Sequence, residues 1–501
     1  METSDGVKTA LRQQAETQVL KLLRDLQEGK KGDLKGLEQQ VMETVFELGR
    51  GWMESLLSDA DLEESTAGHR VGSCGHRQQL VGYRPKQVFT LLGKITFQRA
   101  YYQCVLTDGE LANAEEAQGS TASTARERCT HGEAPADGLW GVQKRHTSAG
   151  VQQAVSYLGA QLTLEETAET FHRLLPLGMS ARQALNLLQP VGAALAQRED
   201  EQVNLLWKEA AQAHTASAAE SSSSAESEPK QAFIERLYVE LDGILARLRR
   251  GSVPLEEKES QRPGDVYREV KVGAVFAGTR GPQRSELVPG AFVDQAGQKR
   301  YVSRRCKAEE FGQLLYQLAL TCGLPQARQL VVLGDGAVWI WRLAAEHFPA
   351  AVQIVDIWHA REHVWKVARA VFGSNTPQAS IWAEQMCSLL VQGQIEELAA
   401  EIAGLPPIPP EPGVARSVPE IELDYFISNA ARMRYLAFRA QGMQVGSGIA
   451  EAACKTVVST RAKRAGMRWT PQGLDAVLAL RTAVLNGTYD EFWEEQPCLV
   501  A

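Results

Sequence analysis

The sequence predicts an α/β fold for its largest domain, behind helical and small β modules. Three observations predict it. At roughly 150 residues per domain the 501 residues make about three domains, and 44% hydrophobic with 23% charged residues is an ordinary globular composition. Residues 211 to 229, through Ser221-Ser222-Ser223-Ser224 to Pro229, hold almost nothing apolar beyond alanine and cannot bury a core, so 211–230 reads as a flexible linker. Beyond it, apolar runs at 237–241, 270–276, 330–333 and 351–355 alternate with helical stretches near 307–321, 337–347 and 358–371.

Composition excludes several classes. The chain starts Met1-Glu2-Thr3-Ser4-Asp5, without the basic and apolar regions of an export signal, and no run of about 18 apolar residues follows. Export by such a signal and membrane spanning are not expected, and a cytoplasmic location is. Eight cysteines are too sparse for a disulfide scaffold, which leaves metal ligation or burial for them. A net charge of -8 draws no nucleic acid to the chain as a whole, so any such binding needs local basic patches.

In chain order, the first region is helical, residues 1–62. Leu34, Leu37, Val41, Val45, Leu48 and Trp52 recur at spacings of three and four and form one stripe, suited to packing on its own domain or to dimerisation. A small β module is expected over 63–140, with two runs around a Gly93-Lys94 turn. Cys74-Gly75-His76, Cys104 and Cys129-Thr130-His131 flank it, as in a degenerate zinc ribbon with Cys74, Cys104, Cys129 and His131 as ligands. No intact C-x-x-C pair is present and residues 107–128 read as an insertion, so a metal-free module is the other reading.

Residues 141–210 are helical in pattern. A helix from Leu164 to Phe171, a break at Pro176-Leu177-Gly178 and a second helix capped by Ser180 make either a helix-turn-helix or an ordinary helical hairpin. In the former, Arg182, Gln183, Asn186 and Gln189 face a major groove, where Arg pairs with guanine and Asn or Gln with adenine.

The chemistry is expected after the linker. Leu237-Tyr238-Val239-Glu240-Leu241-Asp242-Gly243 and Leu330-Val331-Val332-Leu333-Gly334-Asp335-Gly336 each end an apolar strand in an acid and a glycine. Asp-Gly is also a hairpin signal, but two acids at strand ends of one α/β domain lie where open sheets hold ligands. Glu451, behind a Ser447 cap, supplies a third carboxylate, and hard cations such as magnesium take oxygen ligands. Lys455, Arg461, Lys463, Arg464 and Arg468 follow with no further acid, a cationic helix suited to a phosphate backbone.

These residues carry a resemblance. Gly334-Asp335-Gly336-Ala337-Val338-Trp339-Ile340-Trp341, Glu346-His347-Phe348-Pro349, Ile354-Val355-Asp356-Ile357-Trp358-His359-Ala360-Arg361-Glu362-His363, Val445-Gly446-Ser447-Gly448 through Lys455, and Arg464 to Trp469 resemble the ISKra-type bacterial insertion-sequence transposases. The likeness runs over nearly the whole chain and is dense from 237 to 493. It implies a DDE transposase with a ribonuclease H-like catalytic domain over 231–372 and 444–501, interrupted by an all-α insertion at 373–443. It implies that Asp242, Asp335 and Glu451 are the catalytic triad, holding two magnesium or manganese ions. Asp356-x-x-His359 stands where related enzymes carry a C/D-x-x-H motif, implying a role near the target strand or scissile phosphate; a polar structural role is the alternative. The implied partners are double-stranded DNA, both terminal inverted repeats and target, and further copies of the chain, with no membrane; the implied place is the bacterial cytoplasm at the nucleoid. The N-terminal module of such transposases resembles a zinc-binding region with more regular cysteine pairs than these.

The activity implied is binding of insertion-sequence ends, metal-dependent cleavage, and attack of the freed 3'-hydroxyl on target DNA. Two readings compete. His359-Ala360-Arg361-Glu362-His363 matches the inverted zincin pattern of a zinc peptidase. A silent DNA-binding descendant is the other, and the three retained acids speak against it.

Overall fold

The computed structural model describes residues 5–27, 33–64, 68–104, 129–142, 146–217, 233–249, 251–252, 266–288, 291–410 and 412–495. The 107–128 insertion and most of the linker lie outside them. The chain divides into two units, Met1–Leu188 with Trp493–Ala501, and Gln189–Phe492.

The first unit opens with α1 (Asp5–Gln27) and α2 (Leu34–Glu64). They run antiparallel: Lys21 Nζ is 3.2 Å from Glu47 Oε2, and earlier on α1 Gln14 donates to Ser55 Oγ, later on α2, at 3.0 Å. Leu34, Leu37, Val41 and Val45 remain exposed, and it is Leu57, further along α2, that is buried with Val88, Ile95, Phe97 and Val142. Val88, Ile95 and Phe97 belong to an antiparallel sheet of β1 (His69–Val71), β2 (Arg77–Thr90), β3 (Gly93–Cys104) and β4 (Gly132–Glu133), in that order. Ile95 and Phe97 alternate with exposed residues, the period-two pattern of a half-buried strand.

The hairpin turn is Leu91–Leu92, not the expected Gly93-Lys94, because Thr90 pairs with Gly93. Thr90 Oγ1 donates to the Gly93 carbonyl at 2.9 Å and accepts from Leu92 N, and Gly93 supplies a φ of 111°. Three helices follow, α3 (Pro135–Leu139), α4 (Ala149–Gln161) and α5 (Leu164–Leu174). A reciprocal Thr163–Glu166 capping box starts α5. The next helix, α6 (Ala181–Ser217), continues for 37 residues through Pro190. It therefore enters the stretch expected to be linker.

The second unit is built on a five-stranded sheet, β5 (Ile234–Leu248), β6 (Val266–Arg284), β7 (Phe292–Arg304), β8 (Ala327–Gly334) and β9 (Val352–Val355), ordered β7-β6-β5-β8-β9. The β5–β6 and β6–β7 pairs are antiparallel, and β5–β8 and β8–β9 are parallel. A strand buried on both faces reads as an unbroken apolar run, and β5 is buried from Arg236 to Leu241. The polar, edge-lying β7 gives no such run.

Helices α7 (Ala308–Thr321) and α8 (Val338–His347) precede β8 and β9, as parallel crossovers require. From α9 (Ile357–Phe372) the chain is helical: α10 (Pro377–Gln392), α11 (Ile395–Ala403), α12 (Val418–Asn429) and α13 (Tyr435–Ala440). Among the described residues, 373–443 contains no strand. The prolines from Pro406 to Pro410 separate α11 from α12. The chain returns to the sheet through α14 (Gly448–Ala453), a π-helical turn at Cys454–Ser459, α15 (Thr460–Ala462) and α16 (Pro471–Asn486). Among the described residues no helix is long and apolar enough to cross a membrane.

Candidate active site

Asp242 was expected at a strand end, before a turn. It lies instead inside β5, which continues to Leu248 because β6 pairs with it throughout, Asp242 opposite Val272 and Gly243 opposite Lys271. Only the parallel pairing with β8 stops, at Glu240 opposite Leu333. Asp242 is therefore just past the level at which β5 and β8 part, and Asp335 directly follows β8. Adjacent parallel strands thus bring the two acids together.

Each carboxylate is anchored by backbone. Asp242 Oδ1 accepts from Gly243 N at 2.7 Å and Asp335 Oδ1 from Ala337 N at 2.8 Å. Burial pushes the Asp242 carboxyl above its usual range; the Cys454 thiol and Gly243 N–H pull it back, Asp335 adds to the rise, and His359 opposes it. Two half-buried acids close enough to repel form a donor set that suits a hard cation.

Glu451 lies on the exposed side of α14. Three residues later, at the start of the π-helical turn, the buried Cys454 donates its thiol to Asp242, and burial pushes that thiol well up. Glu451 does not join Asp242 and Asp335 in a metal-sized cluster; the one cluster of that kind among the described residues is elsewhere.

Two buried carboxylates hold the start of α14. Glu240 Oε2 accepts from Ala450 N at 2.8 Å, and burial pushes its pKa up to about 8. Its other oxygen, Oε1, has no hydrogen-bond partner, as suits a neutral acid. Asp356 Oδ2 accepts from Ser447 N and from Ser447 Oγ, the latter at 2.8 Å, while Oδ1 accepts from His359 N at 2.7 Å as the N-cap of α9. The Asp-x-x-His spacing is thus also a helix cap. Sequence reasoning missed Glu240, whose only signal is an acid amid an apolar run.

The remaining expected positions fare differently. Lys455, Lys463 and Arg468 are exposed and Arg464 half-exposed. Arg461 is corrected: it is fully buried, with its guanidinium 5.1 Å from the Trp469 ring centre, because the segment is no continuous basic helix. The helix ends at Ala462, and Trp469 pairs with β5 by donating to the Arg247 carbonyl at 3.1 Å. Arg182 is exposed. Gln183, expected to read bases, instead accepts from Ser180 N at 2.8 Å in a capping contact.

In the first unit Cys74, His76, Cys104 and Cys129 place four ligand atoms within 4.8 Å of one another. Cys104 Sγ is 3.3 Å from Cys74 Sγ and 3.5 Å from Cys129 Sγ. His131, the expected fourth ligand, is corrected to His76; His131 Nδ1 lies 3.4 Å from Gln78 Nε2 and 4.0 Å from Glu133. A backbone hydrogen bond at His76, then the Cys104 thiol, pulls Cys74 down to about 6. Burial, then its two cysteine neighbours, pushes Cys104 up to about 11.

The zincin pattern does not assemble. His363 Nδ1 contacts the Glu422 carboxylate, Glu362 is 69% exposed, and His359, Glu362 and His363 form no three-ligand cluster among the described residues.

No protein-family model and no curated protein matches the chain. Among solved structures it is similar to the Drosophila P element transposase strand transfer complex, at 10% identity over 77% of this chain and 87% of that one, with a TM-score of 0.22. A superposition at that score is too loose to align the two chains residue by residue.

Proposed function

We propose that the second unit is a metal-dependent phosphodiester enzyme of the ribonuclease H-like kind. Within that class we read the chain as a DDE transposase of the ISKra type, acting on insertion-sequence ends and on target DNA. One observation carries the reading: Asp242 and Asp335 meet from adjacent parallel strands, and the helix bearing Glu451 is docked beside them through Cys454 and Glu240.

Asp242 and Asp335 would hold magnesium or manganese, and Glu451 would complete the set from α14. Such ions, when bound, activate the attacking oxygen and offset charge on the leaving oxygen. The chain's own part is orientation. Gly243 N and Ala337 N fix the two carboxylates, and Asp356 and Glu240 fix the loop and first turn that carry Glu451. Lys455, Lys463, Arg464 and Arg468 would hold the phosphate backbone beyond Glu451. In the first unit Cys74, His76, Cys104 and Cys129 would hold a structural zinc, since three sulfurs and one nitrogen in one cluster are a zinc donor set. DNA binding at the start of α6 would rest on Arg182 rather than Gln183. Transposon ends are held in pairs during strand transfer, so we propose a homo-oligomer.

The test is divalent-dependent nicking of a labelled duplex carrying the element's own ends. Asp335→Asn should abolish nicking and leave end binding; persistent nicking overturns the assignment. Binding without nicking by the unaltered protein would favour a silent descendant.

A further inference from the structure

The helical stretch between Asp335 and Glu451 reaches back to the first of these acids. Tyr425, on α12, donates its hydroxyl to the Asp335 main-chain carbonyl at 3.1 Å. Its ring stacks on His363 with centres 3.7 Å apart and planes 14° from parallel. His363 Nδ1 in turn contacts the carboxylate of Glu422, one turn earlier on α12, and Lys366 Nζ is 4.0 Å from that carboxylate. The neighbouring Phe426 is fully buried and meets Tyr425 edge-on. The phenol is therefore held from three sides.

Gly336 makes room for it. A Cβ there would lie 2.6 Å from the Tyr425 ring, and the residue has a φ of 101°, which glycine adopts without strain. The turn after β8 is consequently pinned twice, with Ala337 N on the Asp335 carboxylate and Tyr425 on its carbonyl. A helix that only covered the sheet would need neither the hydroxyl contact nor the glycine.

We propose that Tyr425 is a positioning residue for Asp335, which makes α12 a working part of the cation site. The inference rests on reading Asp335 as a cation ligand. Groups that orient a ligand without touching the metal typically contribute about 10- to 100-fold in affinity. Tyr425→Phe keeps the stacked ring and removes one hydroxyl, so it isolates the contact.

Calorimetric Mn2+ binding to the full-length protein is the first readout, and Mn2+ dependence of nicking is the second. Asp335→Asn should lose binding. Tyr425→Phe should weaken it about tenfold and raise the Mn2+ needed for half-maximal nicking by a similar factor, with melting temperature and DNA-end binding unchanged. Tyr425→Phe with unaltered Mn2+ affinity overturns the inference. If the unaltered protein binds Mn2+ and cuts no DNA, the nuclease reading fails while the comparison of Tyr425→Phe with the unaltered protein still decides this one. No Mn2+ binding by the unaltered protein overturns both.

Discussion

The carboxylate site and the cysteine cluster are built in opposite ways. Asp242 and Asp335 come from adjacent strands and each accepts a backbone N–H, so the backbone itself fixes their arrangement. The cysteine cluster joins the β1–β2 turn, the end of β3 and the segment before β4, and its thiols chiefly meet one another. One site is shaped by the sheet and would accept a metal; the other gathers chain segments that a metal would hold. The difference predicts that metal removal costs activity in the second unit and stability in the first.

The largest expected effect is Glu451→Gln, which should reduce nicking to background with no change in melting temperature. Residual metal-dependent cleavage would show that Asp242 and Asp335 suffice. Next is Cys104→Ser, which should drop bound zinc from about one per chain to near none and expose β2 and β3 to hydrogen exchange, leaving β5 and β8 protected. Equal zinc content in both proteins would break the comparison. Arg461 and its exposed neighbours sharpen it within one segment. Lys463→Ala with Arg468→Ala should lower the salt slope of DNA binding by roughly 1.8, at about 0.9 per phosphate contact. Arg461→Met should leave that slope intact and lower the melting temperature by about 5 °C.

The pH-dependent effect concerns Glu240. Its folded pKa of about 8 exceeds the ordinary carboxylate value of 4.5, so between these pH values the folded chain keeps a proton the unfolded chain has lost. Its contribution is fullest below 4.5 and falls as pH rises toward 8. Glu240→Gln keeps an acceptor for Ala450 N and cannot titrate. Denaturant unfolding should show the variant gaining on the parent from pH 5 to pH 8.5; parallel curves would refute the buried neutral acid.

Much of the second unit was legible because buried parallel strands leave unbroken apolar runs, and an acid after such a run stands out. Gly243 suggested a turn because local chemistry cannot show that β6 carries β5 onward. His76 and His131 stand equally near cysteines, and only the hairpin's pairing decides between them. Arg461 misled because charge was read without burial: its guanidinium is turned inward, onto the Trp469 ring. Tyr425 and Glu422 left no local signal, since their partners are 59 to 90 residues away.

The π-helical turn at Cys454–Ser459 bears on how this segment tolerates a change of length. A wide turn is an α-helix with one residue too many. Deleting one residue there would let the helix regularise and leave the turns on either side facing as before, Glu451 ahead of it and the part fastened through Trp469 behind it. A deletion in a regular helical turn has no such slack and rotates what precedes it by about 100°. The wide turn is therefore a place in this segment where a change of length spares the facing of Glu451.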